Sequence, residues 1–395
     1  MSEHDTELKP SKPAIWNDPK YRALFFQVLL VVLLGYFIMT IVNNTLSNME
    51  SRGITTGFSF LSEPAGFGIL QSLVEFDESH SYGRTFIVGL LNTLLVSGLG
   101  ILLATIVGFI MGVARLSHNW VISRLAAVYI ETFRNIPLLL QIFFWYFAVL
   151  GALPGVRQSL SLGAGIEFNN RGLYLPAPVP QDGFAIVGWF FLGGIIGSIL
   201  LYRWARKRQA ATGQQFPVFF SSLGLIIGLP LIVYLLSGSP LMWDMPELKG
   251  FNFKGGMTII PELLALLLAL TIYTGTFIAE TVRAGINSVD HGQTEAAMAL
   301  GLTRGQTLRL IVIPQAMRVI IPPLTSQYLN LAKNSSLATA VGYPDIVAVF
   351  MGTTLNQTGQ AVEITMMTMA VYLTISLTIS VFMNWYNKKM ALVER

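Results

Sequence analysis

The chain has 395 residues, 53% of them hydrophobic and 12% charged, with a formal net charge of +4. A soluble domain carries about 25% charged residues, so the balance excludes an ordinary soluble domain and points to a polytopic membrane protein. The absence of cysteine excludes disulfide staples and thiolate catalysis.

Residues 1–23 form a mixed-charge tail, and the apolar run at 24–43 reads as a retained span, because it ends without a small-residue cleavage site. A polar loop rich in Gly and Ser follows over 44–85. A bilayer crossing needs ~20 mostly apolar residues. By that measure further spans are predicted at 86–113, 125–151, 184–202, 217–236, 258–283, 311–338 and 362–386, which makes eight. The seventh carries Pro314, Pro322 and Pro323; the adjacent pair predicts a kink, with carbonyls left free at membrane depth.

Eight spans put both termini on one side. Of the Lys and Arg residues, sixteen then fall in inner segments, six in outer loops, and three (Arg134, Arg318 and Lys333) in or beside spans. That bias assigns the termini to the cytoplasm. Trp16, Tyr21, Trp385 and Tyr386 read as anchors at the cytoplasmic interface. The spans at 184–202 and 217–236 form a hairpin around the basic turn Arg203-Trp204-Ala205-Arg206-Lys207-Arg208, with Pro-rich outer loops on either side, and read as an inserted module. Its Gly193/Gly197 and Gly224/Gly228 pairs allow close helix packing, or stand there by chance in a Gly-rich chain. Removing the first span and this hairpin leaves a core of five.

Between two of the core spans lies EAAMALGLTRGQTLRLIVIP, residues 295–314, a polar interruption on the cytoplasmic side. Thr294 can cap a helix starting at Glu295, Gly301 suits its end, and Thr303 with Gln306 makes a capping box for a second helix. Ala296, Ala297 and Met298 offer a low surface for a partner; the plainer reading is a solvated loop helix. No Gly is followed by Lys-Ser or Lys-Thr, so the chain has no P-loop, and it has neither an HExxH nor a G-x-S-x-G motif. It is expected not to be an enzyme, to hold no metal or cofactor, and to take its energy from a partner.

Ionisable groups within spans are costly and default to functional candidates. Gln327, Asn330 and Asn334 share a helical face with Lys333 and Ser335 nearby. The lysine can attract a carboxylate and the amides can hold an ammonium or a polar group. Equally, the lysine can snorkel to the outer interface while the amides glue helices together. Glu280/Arg283 and Glu131/Arg134 are each spaced three apart, as simple ion pairs would be; for Glu280 and Arg283 a gating or carboxylate-binding role stays open.

Glu-Ala-Ala, then Gly301 and the approach to Pro314, resembles the EAA signature of ABC importer permease subunits, with Ile313 where that family usually has Leu. ETFRNIPLLLQIFF (131–144), FIAETVRAGINSVDHGQTEAA (277–297) and PPLTSQYLNLAKNSSLATAVG (322–342) are similar to permeases for polar amino acids of the histidine/glutamine type. The hairpin and long first loop resemble the Q-type branch serving general L-amino acid transport. The resemblance implies an all-α membrane protein whose five-helix type I permease core, at 86–390, carries an added N-terminal helix and the inserted hairpin. It implies that 291–308 are coupling helices, with Glu295, Ala296, Ala297, Gly301 and Arg304 meeting a cytoplasmic ABC ATPase dimer that binds ATP and Mg. It also implies a second homologous permease subunit, a periplasmic amino acid binding protein, and a bacterial inner-membrane location. No nucleic-acid partner is expected. Gln327, Asn330, Lys333, Asn334, Ser335, Arg283 and Glu280 would line the substrate path. The resemblance further implies that cation-selective relatives carry an acid where this chain has Gln327, which fits broad specificity. A stand-alone ion-coupled amino acid transporter and a non-transporting assembly factor are the alternatives from other classes.

Overall fold

The computed structural model describes residues 19–51 and 56–390. Most of the N-terminal tail, with Trp16, lies outside the described residues, as do Arg52 and Arg395. Among the described residues seven helices are long and apolar enough to cross a membrane, or eight if a sharply bent pair counts as one.

The first, α1 (Pro19–Ser51), is longer than the expected 24–43, so the loop after it begins beyond Ser51 rather than at 44. None of its apolar stretch is buried. After the loop comes α2 (Tyr82–Arg115). The expected span at 125–151 is instead two pieces: α3 (Trp120–Asn135), and α4 (Leu138–Phe143) continuing as a π-helical turn over Phe144–Leu150. They meet at 106°. The cause is local: Pro137 forbids helical geometry at Ile136, which is extended at φ −92° and ψ 124°.

The outer loops on either side of the hairpin are not irregular. They supply eight short strands, which an all-helical reading did not foresee. From the first loop come β1 (Leu160–Gly163), β2 (Ile166–Asn169), β3 (Gly172–Leu175) and β4 (Ala177–Pro180). From the second come β5 (Leu241–Asp244), β6 (Glu247–Lys249), β7 (Asn252–Lys254) and β8 (Met257–Ile259). They assemble as an antiparallel sheet of order β1-β2-β3-β8, a β4–β5 ladder and a β6–β7 hairpin. Tyr174 locks the cap together: its hydroxyl donates to Asn252 Oδ1 at 2.8 Å and its ring lies 4.9 Å from Phe253.

The β4–β5 ladder ends with Pro180 opposite Leu241, and the transmembrane hairpin springs from that point. Its first arm is α5 (Phe184–Thr212); its second is α6 (Val218–Leu223), a π-helical turn over Gly224–Gly228, and α7 (Leu229–Leu236). The two arms pack on each other, and little of either is buried. The close approach is at Gly194, where a Cβ would collide with the Leu225 carbonyl oxygen. Of the Gly193/Gly197 and Gly224/Gly228 pairs only Gly197 faces the other arm, 3.7 Å from Leu225 Cδ1 for an added Cβ, so the pairs as such do not make the crossing.

The core is built around α8 (Pro261–Asn287), over half of whose apolar stretch is inside the protein. It packs most extensively on α2. The backbones approach because Gly108 lacks a side chain: a Cβ there would fall 2.5 Å from the Cβ of Ile278. Next come α9 (His291–Ala299) and α10 (Arg304–Thr307), then a π-helical turn over Leu308–Val312 leading into α11 (Ile313–Asn334). Pro314 sits in the first turn of α11, where its missing N–H costs nothing. α11 runs on through Pro322 and Pro323 without a break in the helix. Ile320, Ile321 and Leu324 clamp that stretch into the core, and transmembrane helices tolerate proline where neighbours hold them. The break comes after Asn334, in a 3₁₀ turn over Ser335–Val341 that Gly342 closes at φ 78°.

A π-helical turn over Val347–Thr354, α12 (Leu355–Thr358) and α13 (Ala361–Met390) complete the chain. Asp345 is fully buried at the start of this π-helical turn, accepting from the Ala348 N–H at 2.9 Å and from the Tyr372 hydroxyl at 3.3 Å.

Candidate coupling and translocation sites

The polar interruption folds as two short helices separated by a tight turn at Gly301. α9 starts at His291, one turn before the expected Glu295, and Thr294 lies inside it. The cap is Asp290, whose carboxylate accepts from the Gly292 N–H at 2.6 Å. An acid at a helix start also meets the positive end of the dipole, which favours Asp290 over the threonine.

Gly301 ends the helix at φ 79°, a left-handed conformation that other residues adopt only at a cost of roughly 1–2 kcal/mol. Around it the Leu302 N–H reaches the Ala297 carbonyl at 3.1 Å and the Gly301 N–H reaches Met298 at 2.9 Å, the paired bonds of a Schellman stop. Thr303 then starts α10 with a complete capping box: its hydroxyl accepts from the Gln306 N–H at 3.4 Å and the Gln306 side chain accepts from the Thr303 N–H at 2.9 Å.

These caps divide the surface. Ala297 is turned inward and buried, and Thr307 is buried below α10. Ala296, Gly301 and Arg304 are exposed, and so are the apolar side chains of Met298, Leu300 and Leu308. Leu300 is 83% exposed at the tip of the turn, the most exposed of these large apolar side chains. Glu295 is exposed beside His291, 3.6 Å away. The element therefore presents a narrow, partly apolar crest edged by a carboxylate.

The second group centres on a cavity of about 270 Å³ between α3, α8 and α11. Its walls include Arg134, Phe277, Glu280, Pro323 and Gln327. Pockets for small solutes begin at ~300 Å³, so one small solute is the scale of this space. Arg283 grips Glu280 bidentately, with Nε to Oε2 at 3.0 Å, and fixes that carboxylate at the wall. Arg134 makes no ion pair with Glu131 among the described residues, against the simple i,i+3 expectation. Its guanidinium lies over the Phe277 ring, 5.2 Å from the centroid, and lines the cavity. Arg134 and Phe277 thus join the site although neither was singled out as a path residue. An arginine inside the apolar 125–151 run was the available signal for Arg134; nothing in the sequence marked Phe277.

The structure therefore brings together Glu280, Arg283 and Gln327. It does not bring Asn330, Lys333 or Asn334 into that cavity. They continue the Gln327 face of α11 toward the outer end, with Asn330 and Lys333 exposed and Asn334 half-buried. Ser335 is withdrawn from any path: it is fully buried, and its hydroxyl donates to the Ala332 carbonyl at 2.8 Å beside Ser97. The reason is packing. Ile320, Ile321, Leu324 and Leu331 take the inner face of α11, which leaves the amides and the lysine on the outer one.

Residues 210–391 match the family model described as "Binding-protein-dependent transport system inner membrane component". The chain is also similar over nearly its whole length to curated proteins. It is 56% identical to the "Putative amino-acid ABC transporter permease protein" of Escherichia coli (strain K12), over 96% of each chain. It is 53% identical to the general L-amino acid transport system permease protein of Rhizobium johnstonii, covering 96% of this chain and 94% of that one. The chain belongs to the amino-acid ABC transporter permease family. A third member, the glutamate/glutamine/aspartate/asparagine transport system permease protein of Rhodobacter capsulatus, is 42% identical over 96% of each chain.

As a permease of this family the chain is a membrane transport subunit and not an enzyme; the ATPase is a separate chain. Membership disfavours a stand-alone ion-coupled transporter. The all-α membrane fold stands, with the β cap as its addition.

Proposed function

We propose that this permease forms one half of the path by which L-amino acids cross a bacterial inner membrane, and that residues 291–308 couple it to a cytoplasmic ATPase dimer. The amino-acid class comes from the relatives, which are named for general L-amino acid transport and for transport of glutamate, glutamine, aspartate and asparagine. ATP and Mg would be bound by the ATPase. A periplasmic binding protein would deliver the substrate to the outer face. Both termini are assigned to the cytoplasm by the Lys/Arg bias. The permease core is taken as 86–390, with the hairpin inserted at about 184–236 and the loop before the core on the periplasmic side.

The observation that carries the coupling role is the crest of α9 and α10: rigidly capped at both starts, stopped at Gly301, and apolar at Met298 and Leu300. Solvent alone gives no reason to hold such a surface rigid; a docking partner does. Glu295, Ala296, Gly301 and Arg304 would meet that partner, while Ala297 would support them from beneath.

A second permease subunit is supported by the outer face of α11. Asn330 and Lys333 are exposed on a face of α11 this chain does not cover, next to the cavity residue Gln327, and lipid there would be a costly neighbour. A homologous chain across that face would enclose the cavity at Arg134 and Glu280. Arg134 is suited to hold an α-carboxylate, and Gln327 a polar side chain or an ammonium.

The test is ATP-driven amino acid uptake by the reconstituted importer. Glu295→Lys and Gly301→Val are each expected to lower uptake at least roughly tenfold while the permease still inserts. Normal uptake by both variants would remove 291–308 from the coupling role.

A further inference from the structure

The hairpin has a charge pattern that transport does not use. Between residues 184 and 236 there is no acidic residue, yet Arg203, Arg206, Lys207 and Arg208 lie within six positions at its turn. Arg208 is engaged: its guanidinium lies 5.5 Å from the centroid of the Trp204 ring and donates to Gln214 Oε1 at 3.0 Å. Arg203, Arg206 and Lys207 make no ion pair among the described residues, and all three are exposed.

These cations do not point in scattered directions. With Ile199, Tyr202 and Ala210 they line one open groove of about 550 Å³. The positions are three and four apart, so the groove is a single helical face of α5. Ile199 lies deepest in the span and the cations lie toward the turn. Below them the arm presents exposed apolar side chains, among them Phe191, Ile196 and Leu200, as a lipid-facing helix does.

We propose that this groove binds an anionic phospholipid, with the headgroup phosphate held by Arg203, Arg206 and Lys207 and an acyl chain running down past Ile199. Topology asks for cations at this end of the hairpin, but not for three on one face without a counter-charge. Guanidinium forks match phosphate oxygens in pairs, the lysine adds a point charge, and Tyr202 lines the same groove and can add a hydroxyl donor. The occupant is a lipid rather than a soluble anion because the groove opens onto the apolar flank of a hairpin whose arms pack chiefly on each other and are little buried. The bound lipid would fix the hairpin at the membrane surface, whichever solute the permease carries.

Native mass spectrometry of the permease purified with its ATPase, after incubation with vesicles, tests this. Phosphatidylglycerol is expected to be retained roughly tenfold or more over phosphatidylethanolamine. R203Q/R206Q/K207Q should abolish that preference while still co-purifying with the ATPase, and R203K/R206K should keep most of it. Millimolar inorganic phosphate should not displace the lipid. Equal retention of phosphatidylglycerol by wild type and triple variant would overturn the proposal. Displacement by inorganic phosphate would overturn it too, by assigning the groove to a soluble anion.

Discussion

Gly301 and Thr303 stand two residues apart and do opposite work, one stopping a helix and the other starting the next. Both were legible in the sequence, because a left-handed stop and a capping box each depend on a few adjacent residues. The start of α9 was legible only in part. Asp290 and Thr294 are both eligible caps, and the Asp290 contact with Gly292 decides between them. Arg134 was harder to read. Its partner Phe277 is far away in sequence, whereas Glu131 lies three residues away and offers an easier bond that the structure does not make. The cavity reading gives Arg134 a direct consequence. A contact to a charged group is worth about 1.5–3 kcal/mol, so Arg134→Gln is expected to weaken amino acid uptake roughly tenfold or more at unchanged permease levels. Concentration-dependent uptake in proteoliposomes measures it; an unchanged half-saturation and maximal rate would place Arg134 outside the path.

At the scale of elements, periodicity and hydropathy located every long helix, because a span of ~20 apolar residues is a strong local signal. What they missed were features set by distant pairing or by one residue. The β cap is made of strands three or four residues long, with Leu173 paired to Ile259 across the entire hairpin, and no local pattern announces such a pairing. The 106° bend follows from Pro137; the apolar stretches on either side merged into one predicted span, although the Arg134-Asn135 pair marks the break. The cap in turn makes the hairpin separable. Since Pro180 and Leu241 already face each other in the β4–β5 ladder, a two-residue Asn-Gly turn joining them would replace residues 181–240. The shortened chain is expected to insert, to bind the ATPase and to keep at least about half of the uptake, because among the described residues the hairpin arms pack chiefly on each other. Loss of the assembled complex, read by size-exclusion chromatography, would show that the core depends on the hairpin.

At the scale of the molecule, the charge bias and the proposed coupling role of 291–308 ask for the same orientation, with both termini in the cytoplasm. Because the chain has no cysteine, single cysteines can report it without background. Cysteine at Lys207 or Arg309 should resist a membrane-impermeant maleimide added to intact cells, and cysteine at Phe251 in the β cap should react. The opposite pattern would invert the topology and remove 291–308 from the cytoplasm.

The central claim is that this chain is driven by a separate ATPase seated on the α9–α10 crest. Cross-linking from a single cysteine at Leu300, the most exposed large apolar side chain of that crest, tests it most directly in the complex with all partners co-expressed. Capture of the ATPase from Leu300→Cys, and not from Phe251→Cys on the β cap, is the predicted result. No ATPase captured from Leu300→Cys, or equal capture from both positions, would contradict it.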